Sequence, residues 1–410
     1  HLNTVQRPYI WTAQDVREVT YILTQSESEP DTSSFFESDT DSEEEMVDAA
    51  MEYYEDVILS LPQREAFSEP APDLILRWGQ FGPPSPLSWY NSLHQYRLDI
   101  ASIRNLTVAL GMDSSFTTKT GNKYWGMEGV AIFLESQSSP KRLHEVARSM
   151  GRYSSSICEI IEDVASKIFE KFSKSHSTFQ FHDWVEGQGS MSRLQVAVLN
   201  KMEAILGYSM EELNMGIFIF IDGKKKRTCR PSQHQRAAYS GYLKGHGINF
   251  QGGTLPNGIS IVFLPMETAR RSDPHLYRVT MTEESLAAIS GRKGRPCRGY
   301  ADKLYPFKEH LVRTPKGKLS KGEETLRKAF SAVRNSVEWG FGFDTNNFTG
   351  NDYFRRLKIL QSAAGLGVIT WVCSFFSNCI ACMRGGNQVS SYFNLTPPTL
   401  EEYLRIPEQQ

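Results

Sequence analysis

Apolar residues recur at helical spacing through the second quarter of this chain. Leu98, Ile100, Ile103, Leu106 and Leu110 form one stripe within Tyr96–Leu110. Trp125–Leu134 reads as a second apolar helix, and Ile157, Ile160, Ile161, Val164 and Ile168 line one face of a third that runs to Phe172. The pattern predicts an all-helical region over 87–180. After Gly216 the period changes. Ile217-Phe-Ile-Phe-Ile221 is a short run rich in Ile and Phe, which predicts a strand buried on both faces. Two further strands are expected at 247–251 and 258–264, joined by the turn Leu255-Pro-Asn-Gly258. With 217–221 they would form an antiparallel meander led by the first.

A helix is expected near 274–290, then a short strand entering Gly299-Tyr-Ala-Asp302. Glu323 to Gly340 has helical composition, with Leu326, Phe330, Val333 and Val337 on one face. Ala363–Met383 holds no charged residue over 21 positions, long enough for a membrane span. Gly365, Gly367, Thr370, Ser374, Ser377 and Asn378 dilute it, so a buried core helix is the expectation and no membrane is involved.

Charge changes the picture upstream. Residues 1–63 carry fifteen Asp and Glu against Arg7 and Arg17, whereas 64–410 carry 43 basic and 32 acidic residues. A short helix with Trp11, Val16, Val19 and Ile22 is followed from Ser26 to Asp56 by a Ser, Asp and Glu tract with no basic residue. Such a tract cannot build a core, so 1–86, ending in a proline-rich connector, is expected to be a largely disordered acidic arm. An acidic arm on a basic body fits a body that binds a polyanion, or an arm that only aids solubility. The six cysteines are expected to be reduced, buried thiols rather than zinc ligands.

Candidate chemistry gathers at two places. Leu143–Met150, a turn through Gly151, Ser154-Ser-Ser156 and the following helix make a helix-turn-helix pattern, with Arg148 and Arg152 suited to phosphate contact. A purely structural helical hairpin would look the same. The second place is Asp222, which ends the 217–221 run and is followed by Lys224, Lys225, Lys226 and Arg227. A carboxylate ending a buried strand is costly unless water, a proton or a cation reaches it. A metal beside phosphates is one reading, and an Asp-Gly turn with a solvated loop is the other. Lys224 to Lys244 contains seven basic residues, including Arg230 and Arg236, and no acid, which makes it the best candidate for contact with a DNA backbone. Asp302 follows a short strand and Glu338 lies on a helix. Carboxylates converging from separate elements are what a phosphodiester nuclease with two hard cations needs.

Several words occur in a fixed order: Ile221-Asp-Gly-Lys224, Tyr239-Ser-Gly-Tyr-Leu-Lys-Gly-His246, Ile248-Asn-Phe-Gln251, Arg270-Arg-Ser-Asp273, Tyr300-Ala-Asp302 with Tyr305-Pro306, Val337-Glu-Trp-Gly-Phe-Gly342 and Pro397-Pro-Thr-Leu-Glu-Glu-Tyr403. Together they resemble the PIF/Harbinger family of DDE transposases over about 217–404. The resemblance implies an RNase H-like catalytic domain at 216–404, preceded by the helix-turn-helix region and the acidic arm, in an overall mixed α/β fold. It implies Asp222, Asp302 and Glu338 as catalytic and metal-binding acids, with Mg²⁺ or Mn²⁺, two ions, as cofactor. Asp273 matches an auxiliary acid, although with Pro274 after it a helix-capping role is equally open. Double-stranded DNA at transposon ends and target would be the substrate. A Myb-like accessory protein, a homo-oligomer and a nuclear location are expected. Lys224, Ser272, Ala301 and Trp339 depart from the family's usual Thr, His, Gly and Arg at those places. A domesticated, catalytically silent DNA-binding protein on the same fold is therefore the competing expectation.

Overall fold

The structure, a computed structural model, describes residues 92–177, 190–207, 209, 215–313, 320–353 and 365–406. The expectations for the acidic arm and the proline-rich connector over 1–86 lie outside the described residues.

The first part is helical with one exception. Helix α1 (Ile100–Ala109) starts on Asp99, whose carboxylate accepts the Ser102 N–H. A small hairpin, β1 (Ser115–Thr117) and β2 (Lys123–Trp125), then interrupts the helices, so the region is not all-helical. Tyr124 is the reason: its ring is fully buried under Phe116 while its hydroxyl donates to Asp163 at 2.7 Å. Helices α2 (Gly126–Ser138), α3 (Leu143–Met150) and α4 (Ser154–His176) follow. Gly151 breaks α3 from α4 in the left-handed region, φ 63°, where a residue without Cβ is unstrained. The turn between them matches the sequence pattern, but α4 is 23 residues long and packs its Ile157–Phe172 stripe inward against α2. Helix α5 (Ser190–Leu206) has no counterpart among the expected elements. Its Gln195 amide donates to the Gly216 and Pro296 carbonyls, tying α5 to the start of the sheet.

The sheet is built from β3 (Ile217–Arg227), β5 (Gly245–Thr254), β6 (Ser260–Val262), β7 (Glu267–Thr268), β8 (Arg298–Ala301) and β9 (Leu311–Arg313), with the two-residue β4 (Tyr239–Ser240) after the single turn α6 (Gln235–Ala238). Among the described residues the order is β4-β5-β3-β8-β9, with β6 and β7 also pairing along β5. Strands β3, β5 and β6 are an antiparallel meander closed by the 255–258 turn, as expected, and β3 is central. Strands β8 and β9 run parallel to β3. The expected 274–290 helix is two helices, α7 (Asp273–Val279) and α8 (Thr282–Lys293), separated where Met281 takes φ 50°.

Helix α9 (Lys321–Asn347) crosses one face of the sheet, with Val333 and Val337 fully buried. Helix α10 (Gly365–Arg384) is the uncharged stretch. It is long and apolar enough for a membrane, yet most of it is buried inside the protein against α4, β6 and the short α12 (Leu400–Leu404), which follows α11 (Gln388–Tyr392). One continuous cluster of buried side chains runs from Leu106 and Phe169 through Phe376 to Ile219 and Phe263. The helical region and the sheet thus share a core rather than forming two independent ones. Cys379 and Cys382 have CxxC spacing within α10, but burial raises both thiols, Cys382 to about 12, and keeps them protonated.

Candidate functional site

Strand register brings the first two acids together. β3 pairs with β8 up to Ile221 opposite Ala301. The next residue on each strand is an aspartate, so Asp222 and Asp302 follow the last parallel pair side by side. β3 does not end there, as the sequence predicts, but continues to Arg227 along β5 alone. Asp222 therefore sits where its neighbour stops, at a gap beside a strand held on its other side. Each aspartate turns back onto the following N–H: Gly223 donates to Asp222 Oδ1 at 2.9 Å and Lys303 to Asp302 Oδ1 at 2.6 Å.

Asp273 reaches the same gap from α7. Ser272 takes the N-cap position and Asp273 lies in the first turn, where its carboxylate faces Gly223. A Cβ at Gly223 would lie 2.2 Å from Asp273 Oδ1, so a side chain there would push this acid out of its present place. Asn249 on β5, fully buried, donates its amide to the Arg271 carbonyl at 3.0 Å and to Asp273 Oδ1 at 3.3 Å.

Glu338 arrives differently. It lies on α9 with its side chain 58% exposed, and Arg334, one turn earlier, links it to the strand. Arg334 donates through Nη1 to Asp222 Oδ2 at 3.1 Å and through Nη2 to Glu338 Oε1 at 3.3 Å. One guanidinium spans both acids. Tyr305 comes from the β8–β9 connection and is 1% exposed. Its hydroxyl has no hydrogen-bond partner among the described residues, and Asp222, Asp273 and Asp302 all act on it, pushing it well above the usual phenol range together with burial, the largest cause.

Burial likewise pushes Asp222 up, to about 6; Arg334 and the Gly223 N–H pull the other way, while Asp273 and Asp302 add to the rise. The folded value exceeds the ordinary 3.8. Stability from this group is therefore full below about pH 4, and is lost as pH rises through about 6, by about 3 kcal/mol. Asp222→Asn, which cannot ionise, is expected to raise the urea midpoint at pH 8 and to leave it near wild type at pH 4. Equal shifts at the two pH values would contradict the raised value.

The donors suit a hard divalent cation, being carboxylate oxygens from β3, β8, α7 and α9. Their present arrangement does not: among the described residues no three acidic, His or Cys side chains are grouped so as to hold an ion. Arg334 stands between two of them.

The basic residues divide by face. Lys224 and Lys226 project on the α9 side of β3. Lys224 Nζ donates to Thr345 Oγ1 at 2.7 Å and to the Phe341 carbonyl at 3.3 Å. Lys226 is buried, which pushes its ammonium down to about 8. Both line a small pocket with Asp344 and Ser374, Lys226 buried and Lys224 tied to α9, so neither extends freely from the surface toward a DNA backbone, contrary to expectation; strand alternation continuing past Asp222 is the cause. Lys225 lies over the ring of Tyr242, 5.1 Å from its centroid, on the opposite face. Arg227, Arg230, Arg236 and Lys244 are exposed.

In the helical hairpin Arg148 is exposed, but Arg152 is engaged. It donates to Glu128 Oε2 at 2.8 Å and to the Lys123 carbonyl at 2.8 Å, and both partners of the ion pair are largely buried. Arg152 locks α2 to β2 and is not offered to a ligand, again against expectation. His246 stacks edge-on against Tyr239, and Gln251 donates to Thr282 Oγ1 at 2.6 Å, so both side chains serve the fold. Arg334, Asn249 and Tyr305 carry no role in the sequence reading. For Arg334 a signal existed, since it lies four residues before Glu338 and hence on the same helix face.

Residues 221–373 match the family described as DDE superfamily endonuclease, so the segment holding Asp222, Asp273, Asp302, Arg334 and Glu338 carries a DDE endonuclease domain. No curated protein and no solved structure matches the chain.

Proposed function

We propose that this protein is a metal-dependent DNA endonuclease of the cut-and-paste transposase kind, of PIF/Harbinger type, with Asp222, Asp302 and Glu338 as its catalytic acids and Asp273 as auxiliary. The observation that carries the reading is the parallel register that sets Asp222 beside Asp302 within the matched domain. The strand arrangement supports an RNase H-like core: an antiparallel meander whose first strand pairs in parallel with β8, and β8 with β9. Mg²⁺ or Mn²⁺ bound to these acids would activate water or a 3′-hydroxyl and stabilise the leaving oxygen. The chain's own part is positioning. Gly223 admits Asp273, Asn249 holds it, and the buried Tyr305 hydroxyl lies within the electrostatic influence of the three aspartates. The same reading carries a nuclear location, a homo-oligomer and a Myb-like accessory protein. Nicking of DNA that bears the flanking inverted repeats, dependent on Mg²⁺ or Mn²⁺, is the expected result; no nicking with either ion would overturn it.

A second reading, a silent DNA-binding protein on the same fold, has one observation in its favour. Glu338 is mostly exposed and is joined to Asp222 only through Arg334. That protein would bind the same DNA and cut nothing.

DNA contact in either reading falls to Lys225, Arg227, Arg230, Arg236 and Lys244, with Arg148 on the helical hairpin. Two aromatic rings are largely exposed: Tyr242, 83% exposed under Lys225, and Phe307, 80% exposed with Arg313 4.5 Å from its centroid. Replacing Lys225, Arg227 and Lys244 together by Gln is expected to weaken DNA binding and reduce the salt slope by up to about 3. Lys226→Met should leave both unchanged, because its ammonium does not face solvent. Fluorescence anisotropy across a salt series checks this, and a loss with Lys226→Met equal to that of the triple variant would refute the division by face.

A further inference from the structure

We infer that Arg334 is a resident counter-ion of the acid site, one that holds Asp222 and Glu338 in the absence of metal and passes to a DNA phosphate when metal and DNA bind. This rests on the proposed reading of the acids as metal ligands. The contacts are specific. A single guanidinium donates to Asp222 on β3 and to Glu338 on α9, so it joins a strand and a helix as a bridging cation would. Its side chain is only 19% exposed. Arg334 and a divalent cation cannot share Asp222 without repulsion, because both positive charges would lie within a few ångströms in a poorly screened site. Metal binding must therefore work against the Arg334 contacts.

A second observation concerns Tyr305. Buried hydroxyls are almost always hydrogen-bonded. Tyr305 Oη, buried and within the electrostatic influence of Asp222, Asp273 and Asp302, has no partner among the described residues while Arg334 holds Asp222. Release of Asp222 from Arg334 would free a carboxylate in the electrostatic neighbourhood of this unused donor. The planar fork that fits two carboxylates also fits two phosphate oxygens. Arg334 lies at the acids themselves, where the scissile phosphate must come. DNA thus competes for the guanidinium and metal competes for the carboxylates. Each ligand relieves the obstacle to the other, which makes their binding positively coupled, and the coupling is reciprocal.

The test is Mn²⁺ binding to the full chain, followed by electron paramagnetic resonance of free Mn²⁺, with and without a DNA duplex. In the wild type, duplex is expected to tighten Mn²⁺ at least about fivefold. Arg334→Gln should bind Mn²⁺ at least about tenfold more tightly than wild type without DNA, and gain less than about twofold on adding it. Arg334→Lys, which keeps the charge, should restore weak binding. Equal Mn²⁺ affinities in wild type and Arg334→Gln, or no gain with duplex in the wild type, would overturn the inference; the latter needs no variant to fold. Asp222→Asn separates the two hypotheses. If it binds Mn²⁺ as well as wild type, the acids are not the metal site and the proposed function fails first.

Discussion

Glu338→Gln and Asp222→Asn are each expected to lower DNA cleavage by at least about 10³-fold without weakening DNA binding. Both amides keep the size of the side chain and remove its charge. In the proposed function DNA contact falls to other residues, Lys225, Arg227 and Lys244 among them, so neither change should weaken binding. The comparison with Asp273→Asn is informative. Asp273 lies behind Gly223 and is held by Asn249, which makes it a support for Asp222, and a loss of about 10-fold is expected there. Single-turnover cleavage of a labelled end, beside anisotropy with the same DNA, measures both quantities. Glu338 is the more exposed of the two acids and depends on Arg334 for its place. If Glu338→Gln retains a tenth or more of the activity, Glu338 is not in the site, and the silent-protein reading gains accordingly.

Phe376→Ala should be the most damaging single truncation, costing about 3–5 kcal/mol. The side chain is fully buried on α10, with the Phe133 ring 5.3 Å away on α2 and Phe375 at 6.1 Å. Because the buried cluster is continuous from the helical region to the sheet, the loss should be felt by both. One unfolding transition is expected, with far-ultraviolet dichroism and tryptophan fluorescence coinciding in both wild type and variant. Two separated transitions, with only one shifted by Phe376→Ala, would mean that the helical region and the sheet fold independently.

How far the sequence reveals this arrangement varies by element. Ile217–Ile221, the 255–258 turn and the uncharged α10 are legible because apolar runs and turn residues act locally. The end of β3 is not, since four basic residues in succession read as a loop. Only the backbone partner supplied by β5 carries the strand through them, and that partner lies some twenty residues on. The inward turn of Lys224 and Lys226 was hidden for the same reason. The small β1–β2 hairpin escapes because three-residue strands carry too little period to detect. Helix α5 has a stripe in Met191, Leu194, Val198 and Met202, so the helical period does mark it in the sequence. The acids Asp222, Asp273, Asp302 and Glu338 are visible by their neighbours in sequence. What joins them is not: strand register, the approach over Gly223 and the Arg334 fork are relations between residues far apart in the chain.

The contact between Gly223 and Asp273 also sets a rule of spelling for related chains. Wherever an acid stands at 273 in this position, glycine is favoured after Asp222, because a Cβ there would push that carboxylate aside. Where the acid at 273 has been lost, the constraint lifts and 223 can drift. A pair of positions fifty residues apart should therefore change together, and a lineage that keeps Asp222-Gly223 without an acid at 273 would be read as one that lost the support recently. The two letters, taken jointly, date the decay of the site in a way that the three principal acids alone do not.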